Sequence, residues 1–373
     1  MISLFCMIKP ATNYSFEFLA LMRQQGDVVA DDLISEVFAD ENQKSAFRNL
    51  LNSLSLNTDL NKVDEIYAVK EAFLQAKKLP DWADQKLMQQ GAAFFANHAA
   101  SIMNLLGLLS LPYCYAAADG ARVLDLSERI KNKPEHRLNE TADFVWDVMA
   151  PNAFAPDGKG FTSILKVRLL HAAIRFYTDK SSKWNAADWG LPVNQEDMAG
   201  TNLSFSLLVI RGLRKFGLTI EYKDQQAFMH LWNVIGFLLG VDERLLPETG
   251  KEALLIEEAI RLRNFKTSDH GISLTQSLVK YFAMVDANFQ PKQTMQLMRY
   301  LMGDEVADLL QLPPQTAPIS TVKFLQLISN FQVLKQLNTR FSYQNQRADY
   351  HKARPNPLKK SNPRYVLPST LTS

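Results

Sequence analysis

Ser163-Ile-Leu-Lys166-Val-Arg168-Leu-Leu-His171-Ala-Ala-Ile-Arg175-Phe-Tyr177 is the stretch that settles what kind of chain this is. It carries apolar residues at three- and four-residue spacing with no proline or glycine inside, the pattern of an α-helix. At 100° per residue, Arg168, His171 and Arg175 fall within a sector of about 60°. Val167, Leu170, Ile174 and Tyr177 fill the adjoining sector, which places His171 at the seam between an apolar face and a cationic edge.

The same periodicity repeats outward from this helix. It predicts helices over 16–24, 31–53, 63–77, 82–109, 139–150, 161–177, 195–216, 225–239, 251–265, 271–289, 293–302 and 322–338. Stops fall at Pro112, Pro151, Gly217 and Pro247, where proline cannot continue a helix or glycine supplies a cap. Alternating strand patterns are weak and no 20–50-residue repeat appears, so the expectation is an all-α, multi-helix globular fold. No interior linker divides the chain, which points to a single domain over residues 1–345. A basic, proline-punctuated tail follows at 346–373. From Arg347 onward it holds six basic residues against Asp349 alone, and reads as an extended arm over the body or a disordered end. A weak membrane-surface or partner contact is the functional alternative.

Composition excludes several functions. Of 373 residues, 47% are hydrophobic and 21% charged, which is too apolar for a disordered chain. Forty-one basic residues against 39 acidic ones give +2, so no electrostatic footprint for nucleic acid is expected. Two cysteines, Cys6 and Cys114, cannot build a disulfide framework or a cysteine-rich metal site. The N-terminus has a short apolar run without a preceding basic cluster, unlike a signal peptide. The longest apolar stretch, Ile102 to Ala118, is interrupted by Asn104, Ser110 and Pro112, whereas a membrane span needs about 20 apolar residues. It is read as a core helix stopping at Pro112, followed by a Tyr113-Cys114-Tyr115 turn. No transmembrane segment and a cytoplasmic location are the expectations.

Motifs for dinucleotides, zinc proteases and nucleophile elbows are lacking. Gly158-Lys159-Gly160 reads as a turn into a helix. His230 and Trp232 lie in an apolar helix and read as core, Trp184 and Trp189 as packing a long loop, and Cys114 is given no nucleophilic role. The His171 helix then admits two readings. In one, His171 is a boundary histidine and the two arginines pair with acidic neighbours. In the other, the imidazole ligates haem iron, the apolar face packs on the porphyrin, and the arginines neutralise its propionates. An upstream helix adds Arg137, Glu140 and Thr141 at i, i+3 and i+4, on one face. These form either a surface Arg137–Glu140 ion pair or the distal wall of a pocket opposite His171.

Four segments in order carry a resemblance: Arg137-Leu-x-Glu-Thr141, Arg168-x-x-His171-x-x-x-Arg175, Trp189-Gly-x-Pro-x-Asn-Gln-Glu-Asp197, and Trp232-Asn-Val-Ile-Gly236-Phe-Leu-Leu-Gly240-Val-Asp242. Over roughly residues 85–250 the chain resembles the rubber oxygenase (latex-clearing protein) catalytic domain and the MpaB-type oxygenases. The resemblance implies a globin-like core around haem b, with His171 as axial iron ligand and Arg168 and Arg175 beside the haem. Where rubber-cleaving members have a distal Arg-x-x-Lys-Thr, this chain has Glu140 in place of the lysine. Ser204-Phe205-Ser206 also departs from an expected histidine-containing stretch. Both differences turn the expectation away from rubber and toward the MpaB branch, which resembles an oxidative cleaver of isoprenoid chains. The implied function is a haem-dependent oxygenase that uses dioxygen on a hydrophobic unsaturated lipid or isoprenoid, with Arg137, Glu140 and Thr141 as catalytic residues. The alternative is a non-catalytic helical haem- or lipid-binding carrier or sensor.

Overall fold

The computed structural model describes residues 14–63, 70–126, 134–285, 290–314, 343–352, 365 and 367–368. These form an all-α fold: α1 (Phe16–Arg23), α2 (Val28–Val37), α3 (Glu41–Ser53), α4 (Glu71–Gln75), α5 (Gln85–Leu105), α6 (Leu111–Ala116), α7 (Ala118–Leu126), α8 (Pro134–Val148) and α9 (Gly160–Asp179). There follow α10 (Ala186–Trp189), α11 (Gln195–Phe205), α12 (Leu207–Lys215), α13 (Tyr222–Leu238), α14 (Gly250–Asn264), α15 (Asp269–Val285), α16 (Pro291–Met302), α17 (Asp304–Leu309) and α18 (Tyr343–Lys352). Among the described residues the only β feature is an isolated bridge between Ala117 and Phe265. The helix expected at 322–338 lies outside the described residues.

Three expected helices are broken or extended, each for a local reason. The 31–53 pattern is two helices, because Asp40 caps the N-terminus of α3 by accepting from Gln43 N–H at 2.8 Å. The 195–216 pattern breaks at Ser206. Ser204 and Ser206 donate their hydroxyls to the carbonyls four residues back, Gly200 and Asn202, which competes with the helical ladder. Pro112 does not stop its helix, and Tyr113-Cys114-Tyr115 is helical. A π turn at Leu106–Ser110 widens the backbone ahead of the proline, which has no N–H to give and whose ring needs room. Gly217 does cap α12, with φ +85° and Leu218 N–H reaching Leu213 C=O.

The helical run Gln85–Ala116 is 32 residues long, and its most apolar window has mean hydropathy 1.4. That is long and apolar enough to cross a membrane, and 61% of the window is buried inside the protein. It packs along α13, through pairs such as Phe94 with Phe228 at 5.2 Å. Around this pair the large core gathers, with Trp146, Phe47, Phe73 and Phe95 fully enclosed. Packing of this kind, more than helix propensity, is what stabilises the helices. The His171 helix, α9, lies between α2, α8 and α13.

Candidate functional site

α9 begins where a short 3-10 turn, Asn57–Leu60, docks on it. Asn57 accepts from Thr162 N–H and donates to the carbonyls of Ala153 and Ala155, which satisfies a backbone donor at the helix's first turn. Further along, Arg168 forms a two-pronged buried pair with Asp27, at 2.5 and 2.8 Å. Arg175 binds Asp31 at 2.6 Å and the Val193 carbonyl at 2.9 Å. Both arginines therefore hold acidic neighbours on or at the start of α2, and neither lines the cavity beside His171. One amino group of Arg175, Nη2, stays buried without a hydrogen-bond partner.

That cavity, about 380 Å³, is within the size range of ligand pockets. Its wall is mainly apolar, with Leu111, Val123, Leu124, Phe144, Leu170 and Ile174 among the side chains facing it. His171 faces it from α9, and Arg137, Glu140 and Thr141 face it together from α8. The structure thus joins two clusters that are one loop and about half of each of two helices apart in sequence. It leaves Arg168 and Arg175 behind the wall.

The electrostatics of the cavity are unusual. Burial, then the charges of Arg175 and Arg137, push the His171 pKa down to about 3 against a smaller opposing pull from Asp27. The imidazole is neutral at neutral pH. Its Nδ1 is buried with no hydrogen-bond partner among the described residues. Three other cavity residues share that condition, through Tyr177 Oη, Trp232 Nε1 and Asn202 Oδ1. Orphaned buried polar atoms are uncommon in native proteins, and here four such residues border one cavity. Burial also raises the thiol pKa of Cys114 and pushes Tyr115 up to about 12, so both stay protonated.

Arg137 and Glu140 form no ion pair. Glu140 Oε1 instead accepts from Tyr365 N–H at 3.1 Å, and Oε2 lies 3.5 Å from His136 Nδ1. Tyr365 stacks edge-on against Phe144 at 6.5 Å, and Tyr365 and Pro368 complete the cavity wall. The described part of the tail therefore lies against the body, with Tyr365 and Leu367 buried. Tyr365 and Glu257 are cavity residues that sequence reasoning did not select, and Cys114 and Asp197, named in the sequence without a site role, line it too, since none sits on a helix face shared with His171 or Arg137.

The remaining motif residues build the scaffold. Gln195 bridges the carbonyls of Gly26 and Gly240 and accepts from Asp242 N–H, tying three segments together. Glu196 and Asp197 bind Arg23, and Glu196 also binds Arg263. Gly240 has φ +87°, and a Cβ there would lie 2.2 Å from Asp27 Oδ2, so the chain needs glycine to pass the Asp27–Arg168 pair. Trp184 donates to Gly190 C=O and meets Trp189 at 5.3 Å, packing the loop down. His230 accepts from Asp84 N–H, away from the cavity, whereas the buried Trp232 lines it. Ser204 and Phe205, from the departing segment, line it as well.

Comparisons with known proteins agree on one family. The catalytic domain described as ER-bound oxygenase mpaB/B′ and rubber oxygenase matches residues 85–328. The chain is 26% identical over 291 residues to a rubber oxygenase from Streptomyces sp. (strain K30), covering 78% of this chain and 71% of that one. A solved structure of latex clearing protein in the closed state shares the fold with a TM-score of 0.71. Its identity is 24%, over 84% of this chain and 85% of that one. All four sequence segments lie within the matched region, around one cavity. The chain belongs to the mpaB and rubber oxygenase catalytic-domain family of oxygenases.

Proposed function

We propose that the protein is a b-type haem-dependent oxygenase acting with dioxygen on a hydrophobic, unsaturated lipid or isoprenoid, with His171 as the proximal iron ligand. The observation that carries this reading is the imidazole of His171. It is neutral and free of hydrogen bonds to described residues, and it shares an apolar cavity with Arg137, Glu140 and Thr141. A neutral imidazole is the form that binds a metal. Among the described residues no three His, Cys, Asp or Glu side chains group as a chelating set. A single histidine would fit an iron held otherwise by a porphyrin.

Bound there, haem b would supply the oxygen chemistry. The chain's own residues do the rest. The apolar wall takes up the hydrocarbon and excludes water. Glu140 would receive an allylic proton at Oε2, which lies 3.5 Å from His136 Nδ1 while Oε1 accepts from Tyr365 N–H. Thr141 offers a hydroxyl on the same face. Arg168 and Arg175 act behind the wall, holding the phase of α9 so that His171 faces inward.

A carrier or sensor is the second reading, and the engagement of Glu140 by Tyr365 and His136 favours it. The deciding experiment incubates haem-supplied protein with a polyunsaturated isoprenoid and dioxygen. Carbonyl cleavage products are expected for the oxygenase. A spectral binding shift without products would replace it with the carrier.

A further inference from the structure

Among the described residues three carboxylates border the cavity, and each already holds a donor. Glu140 has Tyr365 N–H and His136. Asp197 accepts from Arg23 at 3.1 Å and from Asn194 at 2.8 Å. Glu257 accepts from the Tyr113 hydroxyl and from Arg211 at 3.4 Å. Arg137 also borders the cavity, and its guanidinium makes no hydrogen bond or ion pair with any described residue. Tyr115 and Cys114 lie near it, and Phe144 and Val123 line the same cavity. Burial works against the arginine's charge, with only partial relief from the Glu140 carboxylate nearby.

A half-buried cation at an apolar wall with no partner among the described residues is costly, and arginine cannot escape the cost by losing its proton. Among the described residues, the three carboxylates at the cavity are committed to other donors. A ligand in the cavity would satisfy the cation, and the planar fork of donors on a guanidinium matches a carboxylate. The rest of the wall asks for hydrocarbon.

We propose that Arg137 is a carboxylate receptor and that the cavity takes an amphiphile with its acid group on the Arg137 guanidinium and its chain along the apolar wall. In the oxygenase reading, on which this last step rests, the substrate is an unsaturated long-chain carboxylic acid. A porphyrin propionate offers the same chemistry, so the test must separate the two sources.

In the first arm, full-length protein without haem is titrated with oleate and with oleyl alcohol, followed by the fluorescence of the cavity tryptophan Trp232. Wild type should bind the acid roughly tenfold or more tightly than the alcohol, as expected for a charge-assisted hydrogen bond. Arg137→Gln should bind both alike, having lost its preference for the acid. Arg137→Met, which keeps the volume without charge, carries the same comparison if the glutamine variant binds neither. In the second arm, haem b is compared with its dimethyl ester. A preference for the acid lost in the first arm assigns the carboxylate to the substrate. A preference lost only in the second assigns it to the porphyrin. Unchanged preferences in both arms, or none in wild type, overturn the proposal. Haem uptake is read separately from the Soret band, so a chain that takes up no haem would sink the oxygenase reading and leave the fatty-acid arm intact.

Discussion

Arg168 grips Asp27 through two hydrogen bonds, from Nε at 2.5 Å and Nη2 at 2.8 Å, with both side chains buried. The pair lies one helical turn before His171 and ties α9 to the N-terminus of α2, where Asp27 is also the cap residue. One side chain thus caps one helix and sets the rotation of another. Breaking the pair should be expensive, because the survivor is left charged and buried. Asp27→Ala is expected to lose about 3–5 kcal/mol in urea unfolding, whereas Asp27→Leu with Arg168→Met should recover much of it. A single-variant loss below about 1 kcal/mol, the size of an exposed pair, would remove this role.

Gly240 passes directly over that pair. Gly240→Ala meets both a left-handed backbone and a Cβ 2.2 Å from Asp27 Oδ2. The expected cost is roughly 2 kcal/mol or more, with the backbone alone worth about 1–2. Thermal unfolding of the variant checks it, and a neutral result would mean that α2 can shift freely.

Asp59 provides the clearest pH signature. Burial raises its pKa, but hydrogen bonds from Leu56 N–H, Lys62 and Ser55 N–H outweigh burial and lower it to about 2. A carboxyl with a depressed folded-state pKa stabilises the fold above its unfolded value of 3.8. That contribution disappears as pH falls toward 2. It is at most about 2 kcal/mol, since the Lys62 partner is largely exposed. Asp59→Asn should lower stability at pH 7 and flatten the loss between pH 4 and 2. Because Asp59 orders the turn that docks on α9, a parallel loss of affinity for cavity ligands is expected. An unchanged acid limb would contradict the assignment.

Glu140→Gln separates the two functional readings. As a general base its loss should lower turnover by about 10²–10⁴ while leaving haem uptake intact. Gln can still accept from Tyr365 N–H, so the wall should hold. Equal turnover in variant and wild type would take the base role from Glu140.

Much of the architecture was legible because helical periodicity is local, and α9 or α13 needs only its own side chains to declare a face. The same applies to Arg137, Glu140 and Thr141, whose i, i+3, i+4 spacing placed them together on α8. Helix breaks were harder. Asp40 and Ser206 interrupt apolar patterns that continue in register across them, and Pro112 is accommodated by a π turn that no spacing rule signals. Partners were hardest. Asp27 lies 141 residues before Arg168, and Asp31 lies 144 before Arg175, so the sequence left open whether the arginines answered to acids or to a cofactor. In the structure both hold acids, and Arg137 is the guanidinium facing the cavity.

The most direct test of the account is the absorbance spectrum of the protein produced with haem supplied. The account predicts a Soret band from stoichiometric haem in the wild type, lost or markedly shifted in His171→Ala. No Soret band in the wild type, or the same band in His171→Ala, would contradict it.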